Sequence, residues 1–149
     1  TPVIGQNWGA GLYKRVSHVL RIALGFNMVW SLVIAALLYS FARPIAEIFS
    51  SDEGVITYAI LFFKIVPVSY AFGNLVLGWS SSFNAMGRPV RALVMMATHA
   101  ALLISSVLLG NYYYGVEGLL YAIVATNITA GIFFHILSVR ACRKSAYTA

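Results

Sequence analysis

Four runs of this chain carry no Asp, Glu, Lys or Arg: Ile22–Ala42, Ile65–Gly87, Ala92–Val116 and Gly118–Val139. Each is about 20 residues or longer, the length at which an α-helix crosses a hydrocarbon core of ~30 Å. A soluble domain of 149 residues has no interior able to bury four such segments. The pattern therefore implies an all-α integral membrane protein with four transmembrane helices.

The short loops give these helices a direction. Lys14, Arg15, His18 and Arg21 precede the first run, Arg88 and Arg91 join the second to the third, and Arg140, Arg143 and Lys144 follow the fourth. Of ten basic residues, eight lie on one side; Arg43 lies on the other and Lys64 lies within a span. All four acids, Glu47, Asp52, Glu53 and Glu117, lie on the Arg43 side. Lys and Arg in short loops stay in the cytoplasm, so both ends are expected inside a plasma or inner membrane.

The same reasoning disposes of the net charge of +6 as a nucleic-acid signal. The basic residues sit in short segments at membrane edges, where topology and anionic lipid account for them. A nucleic-acid surface would be a contiguous basic face on a soluble fold. A single cysteine, Cys142, excludes an intrachain disulfide and a multi-cysteine metal site. No phosphate-binding glycine loop, metal-ligand spacing or nucleophile beside a base occurs. No enzyme, cofactor or metal is expected.

Along the chain, residues 1–4 read as the end of an earlier helix, which suggests part of a longer protein. Gly5-Gln6-Asn7-Trp8-Gly9-Ala10-Gly11 has three glycines in seven residues and reads as a loop. The expected cytoplasmic turn covers 5–18, with transmembrane helices at 20–41, 55–85, 92–112 and 119–139. The basic tail, 140–149, is expected to be mobile. Arg43-Pro44 should stop the first span, and Pro44–Phe49 should lie at the outer interface. Ser50-Ser51-Asp52-Glu53 suits the positive end of the next helix. Pro67 predicts a kink in the long second span. Tyr112, Tyr113 and Tyr114 form an aromatic belt, and Gly115–Gly118 a tight helical hairpin.

Lys64 is the sharpest candidate for function. If the hydrocarbon begins near Thr57, it lies about 10 Å deep at 1.5 Å per residue. Such a charge faces protein or water and marks function, or it snorkels to the interface. Lys64, Pro67, Ala71, Asn74, Gly78 and Ser81 recur at steps of three and four, a small polar stripe expected to line the bundle interior or a cavity. Asn127, Gly131, His135 and Ser138 form a second stripe, and Asn27 with Ser31 should face neighbouring helices. His99 reads as a packing residue. No span carries a carboxylate, so any residue coupling transport to protons or sodium lies elsewhere.

Four segments in order carry a family resemblance: Pro2–Gly11 followed by Tyr13-Lys14-Arg15-Val16, then Pro44–Glu53, Asn84–Pro89 and Gly115–Ala122. They resemble the multidrug and toxic compound extrusion (MATE) family, in which a Gly-Gln-Asn-x-Gly-Ala-Gly segment ends the eighth helix. Here that motif is Gly5, Gln6, Asn7, Gly9 and Gly11. The resemblance implies helices nine to twelve, part of one six-helix lobe of a twelve-helix transporter. It implies alternating access and antiport of organic cations or drugs against H+ or Na+, bound outside this segment. Lys64, Ala71, Asn74, Gly78, Asn27 and Asn127 are the candidate cavity residues. The implied partners are the lipid bilayer, a small-molecule organic cation and the remainder of the transporter, with no nucleic acid. Alternatives are a flippase-like transporter of an anionic or lipid-linked substrate, or a non-transporting membrane subunit.

Overall fold

A computed structural model describes the backbone of residues 2–147 and the side chains of residues 2–142. Thr1 and the end of the expected tail lie outside the described residues. The order is α1 (Pro2–Gly9), α2 (Tyr13–Ser40), α3 (Ala42–Phe49), α4 (Glu53–Ile65), a 3-10 turn (Pro67–Ser69), α5 (Tyr70–Ala85) and α6 (Pro89–Tyr147). Three continuous helical stretches, Tyr13–Ser40, Glu53–Ala85 and Pro89–Cys142, are long and apolar enough to cross a membrane.

The third stretch is two spans. Gly115 alone leaves helical geometry, with φ 62° and ψ −149°. The Ser106 and Thr126 hydroxyls lie 2.6 Å apart, although 20 residues of straight helix would separate them by ~30 Å. The chain thus doubles back at Gly115 into antiparallel limbs, 89–114 and 116–147. Only glycine adopts that φ without strain. Gly110 and Gly118 face each other across the limbs so closely that a Cβ on either would strike the other's backbone. The Gly115–Gly118 hairpin is real, but the turn is Gly115 alone, and Gly118 is a helical contact.

α5 is the central helix. It packs against α2 on one side and against both limbs of α6 on the other. Val76, Trp79 and Phe83 of α5 are buried with Leu20 and Leu24 of α2 and with Met95, Ala130 and Phe134 of α6. Most other large apolar side chains, such as Phe26, Leu93, Ile104 and Phe133, are exposed around the rim. In a spanning protein such faces meet lipid or further helices.

The segments between spans correct two expectations. The glycine-rich segment is helical through Gly9, so the expected turn over 5–18 shrinks to residues 10–12, where Gly11 has φ 71°. Gly5 is there for contact, since a Cβ would sit 2.7 Å from the Ala85 carbonyl oxygen. The tail is also helical, because α6 continues past the expected end at 139 to Tyr147. At the opposite end, Asp52 caps α4 as its position implied, accepting from Gly54 N at 2.8 Å and Val55 N at 3.1 Å. Arg43, the exceptional basic residue among the acids, pairs with Glu47 at 2.7 Å and approaches Glu53 at 4.0 Å. The hydrogen bond to the Glu47 carboxylate, then the charges of Glu47 and Glu53, hold its pKa above the usual arginine value.

Replacing Gly118 with Val forces the limbs apart or distorts the turn. We expect Gly118→Val in the full-length protein to cost about 1–3 kcal/mol, the range for overpacking a filled site. A lower detergent melting temperature than for Gly25→Ala, where a Cβ meets nothing within 4 Å, checks this.

Candidate functional site

Pro67 lies near the middle of the Glu53–Ala85 stretch and interrupts it. Proline has no N–H, and its ring displaces the carbonyl a turn earlier, so the helix must tighten or break. The chain resolves this with a 3-10 turn in which Ser69 N donates to Val66 O at 3.0 Å. The Ser69 hydroxyl, 0% exposed, donates to the same carbonyl at 2.8 Å. Buried Asn127 of α6 then donates from Nδ2 to Ser69 Oγ at 2.9 Å. The break at mid-span is thus tied to the neighbouring helix by a short polar chain.

A second bond fixes the other side of α5. Asn74 Nδ2 donates to Ser31 Oγ of α2 at 2.8 Å, and Ser31 is buried. Small residues let the helices close around these bonds. A Cβ on Gly78 would lie 2.6 Å from Leu24 Cδ2, and one on Gly73 3.4 Å from the Asn127 amide. Gly131 packs directly on the Phe72 backbone. One turn beyond Gly131, Trp79 Nε1 donates to His135 Nδ1 at 3.0 Å.

The candidate residues therefore divide. Ala71, Asn74 and Gly78 face the bundle interior, and Asn127 joins them from α6. Lys64 does not face the interior of these four spans. It is exposed, with Nζ 5.6 Å from the centre of the Tyr39 ring on α2. Ser81 and Asn27 are also exposed. In the glycine motif, Asn7 Nδ2 bonds Val3 O at 2.8 Å within α1, Gln6 and Gly9 are exposed, and Trp8 stacks on the Arg88 guanidinium at 4.9 Å. Ser69 and Trp79 were not anticipated. A hydroxyl two residues after a mid-span proline was the available signal for Ser69; nothing in the sequence marked Trp79 as the partner of His135.

Beside this polar set, a groove of about 1230 Å³ runs between α2, α5 and the second limb of α6. Phe72, Leu75 and Trp79 form its floor, Leu24, Gly25 and Met28 one wall, and Ile132, His135 and Val139 the other. Lys14, Arg15 and Arg21 line its end near the α1–α2 turn. No group of three or more His, Cys, Asp or Glu side chains could hold a metal among the described residues.

Apolar helices of this length, packed around a broken central span, define a multi-pass membrane protein. The family follows: a MatE profile matches residues 1–109, and the chain belongs to the MatE family. It is similar to the Vibrio cholerae MATE transporter VcmN in the bent form, with 31% identity over 96% of this chain, 33% of that chain and a TM-score of 0.89. A multidrug resistance MATE family transporter of the MOP superfamily, in an inward-facing conformation, shares the fold at a TM-score of 0.90. It has 17% identity over 99% of this chain and 34% of that one. The chain is also 34% identical over 142 residues to a protein named FAD transporter from Shewanella oneidensis, covering 95% of this chain and 31% of the relative. It spans about a third of the length of these relatives.

The Asn127–Ser69 bond should be a true coupling, not two independent contacts. Interhelical polar pairs in membranes average ~0.6 kcal/mol and reach ~1.7. A double-mutant cycle with Asn127→Ala and Ser69→Ala in the full transporter, read by unfolding in detergent, should fall in that range. Additive single effects would show that the bond adds nothing.

Proposed function

We propose that this chain supplies helices nine to twelve of the second lobe of a secondary active transporter that works by alternating access, exporting organic cations or drugs in exchange for H+ or Na+. The observation that carries the reading is the Pro67 break, placed mid-span and surrounded by Ser31, Ser69, Asn74 and Asn127. Secondary transporters place their binding sites near the midplane, where discontinuous helices free backbone groups from helical pairing. The MatE membership and the multidrug resistance relative support the substrate class.

A second reading has its own support. No span here carries a carboxylate, Lys64 is charged and basic, and the groove is lined by Lys14, Arg15 and Arg21 with no acid. These features suit an anionic substrate, and the Shewanella relative is named for a dinucleotide. Inverted membrane vesicles carrying the full transporter separate the two. Gradient-driven accumulation of a fluorescent organic cation, unaffected by flavin adenine dinucleotide, supports the first reading. Flavin accumulation with no cation transport replaces it with the second.

Orientation is part of the proposal. With both ends of this segment cytoplasmic, cysteines at Asp52 or Glu117 should react with an impermeant thiol reagent added outside intact cells. Cysteine at Lys14 and native Cys142 should react only after permeabilisation. Outside labelling at Lys14 would reverse the assignment.

A further inference from the structure

We propose that the groove between α2, α5 and the second limb of α6 seats an anionic phospholipid from the leaflet at the Trp8–Arg88 end. Lys14 and Arg21 hold the phosphate, and an acyl chain lies along Gly25 and Met28. The site is separate from the mid-span polar set, and as a lipid seat it competes with the reading of the same basic residues as contacts for an anionic substrate.

Residues 14, 21, 25 and 28 recur at steps of seven, four and three, and so share one face of α2. Along that face the character changes once. The first two positions are basic, and the next two are glycine and methionine. The rise from Lys14 to Arg21 is about 10 Å, and that from Arg21 to Met28 is about the same. A cationic stretch followed by an apolar stretch, directed into the membrane, is the outline of a phospholipid lying against a helix.

The rest of the groove agrees. Its floor, Phe72, Leu75 and Trp79, is apolar along the same direction. The polar edge of Trp79 and Nδ1 of His135 are already bonded to each other, so neither Trp79 N–H nor His135 Nδ1 needs a partner from an occupant. Gly25 leaves the wall open, because a Cβ there meets nothing within 4 Å. None of the lining residues is acidic, while Lys14, Arg15 and Arg21 are basic. This charge pattern selects an anionic head over a zwitterionic one. Basic pockets between spanning helices are known to take such headgroups, and each Lys or Arg near an anionic surface has a measurable attraction.

The test uses the full transporter in phosphatidylcholine nanodiscs containing trace spin-labelled phosphatidylglycerol or phosphatidylcholine. The expected result is a motionally restricted signal favouring phosphatidylglycerol. Lys14→Gln and Arg21→Gln should each weaken that preference roughly fivefold. Gly25→Phe, which fills the wall without touching the basic residues, should reduce the restricted signal of both lipids. Folding of each variant is checked by its melting temperature. Equal restriction of the two lipids, or a restricted signal that Gly25→Phe leaves unchanged, overturns the proposal and assigns the groove to a helix of the remaining chain. Displacement of the labelled lipid by soluble flavin adenine dinucleotide also overturns it, in favour of a substrate site.

Discussion

Hydrocarbon offers no partner to a backbone N–H or C=O, and this constraint governs every part of the bundle. A straight helix satisfies it internally. Pro67 does not, because it removes one donor in mid-span. The carbonyl that loses this donor is that of Phe63, four residues back; the Ser69 hydroxyl bonds Val66 O within the 3-10 turn, and Asn127 joins Ser69 from α6. The break is therefore not a defect isolated on one helix. It obliges α6 to sit at a fixed height beside α5.

Close approach is the second requirement. Without a hydrophobic drive between helices, association rests on contact area and on polar bonds short enough to count. Gly78 against Leu24, Gly131 against Phe72 and Gly110 against Gly118 give the approach, each where a Cβ would intrude. The polar bonds lie between or beside these points: Asn74–Ser31, Asn127–Ser69 and Ser106–Thr126. Residues one turn away from a glycine contact thus become the ones able to bond across the interface.

Much of this was legible from the residues. Uncharged runs located the spans, Pro67 located the interruption, and Asp52 located the start of α4. Ala71, Asn74, Gly78 and Asn127 could be placed inside by spacing alone. Spacing put Lys64 on the stripe that meets α2, where it lies against Tyr39, but spacing does not show that it stays exposed there. Asn27 likewise shares the helix face of Leu24 and Ser31 by spacing yet is exposed, because spacing does not show whether a neighbouring helix covers that face at its height. The glycine-rich segment misled for another reason. Glycine permits turns, but it also permits contact, and only the position of Ala85 reveals that Gly5 serves contact. The Trp79–His135 bond joins residues 56 apart in sequence, and no local pattern encodes it.

The single-residue turn at Gly115 has a mechanical consequence. A hairpin loop of several residues would let its two limbs slide past one another. Here helical backbone resumes on both sides of one glycine, and Gly110 and Gly118 are wedged together about one turn away. There is no slack to absorb an axial shift. Pushing one limb along its length must carry the other with it, so the pair behaves as a stiff fork clamped against α5. Bending is left to the segment beside Pro67, where α4 and α5 are joined by 3-10 backbone, and α4 with the amphipathic α3 can swing while the fork stays rigid.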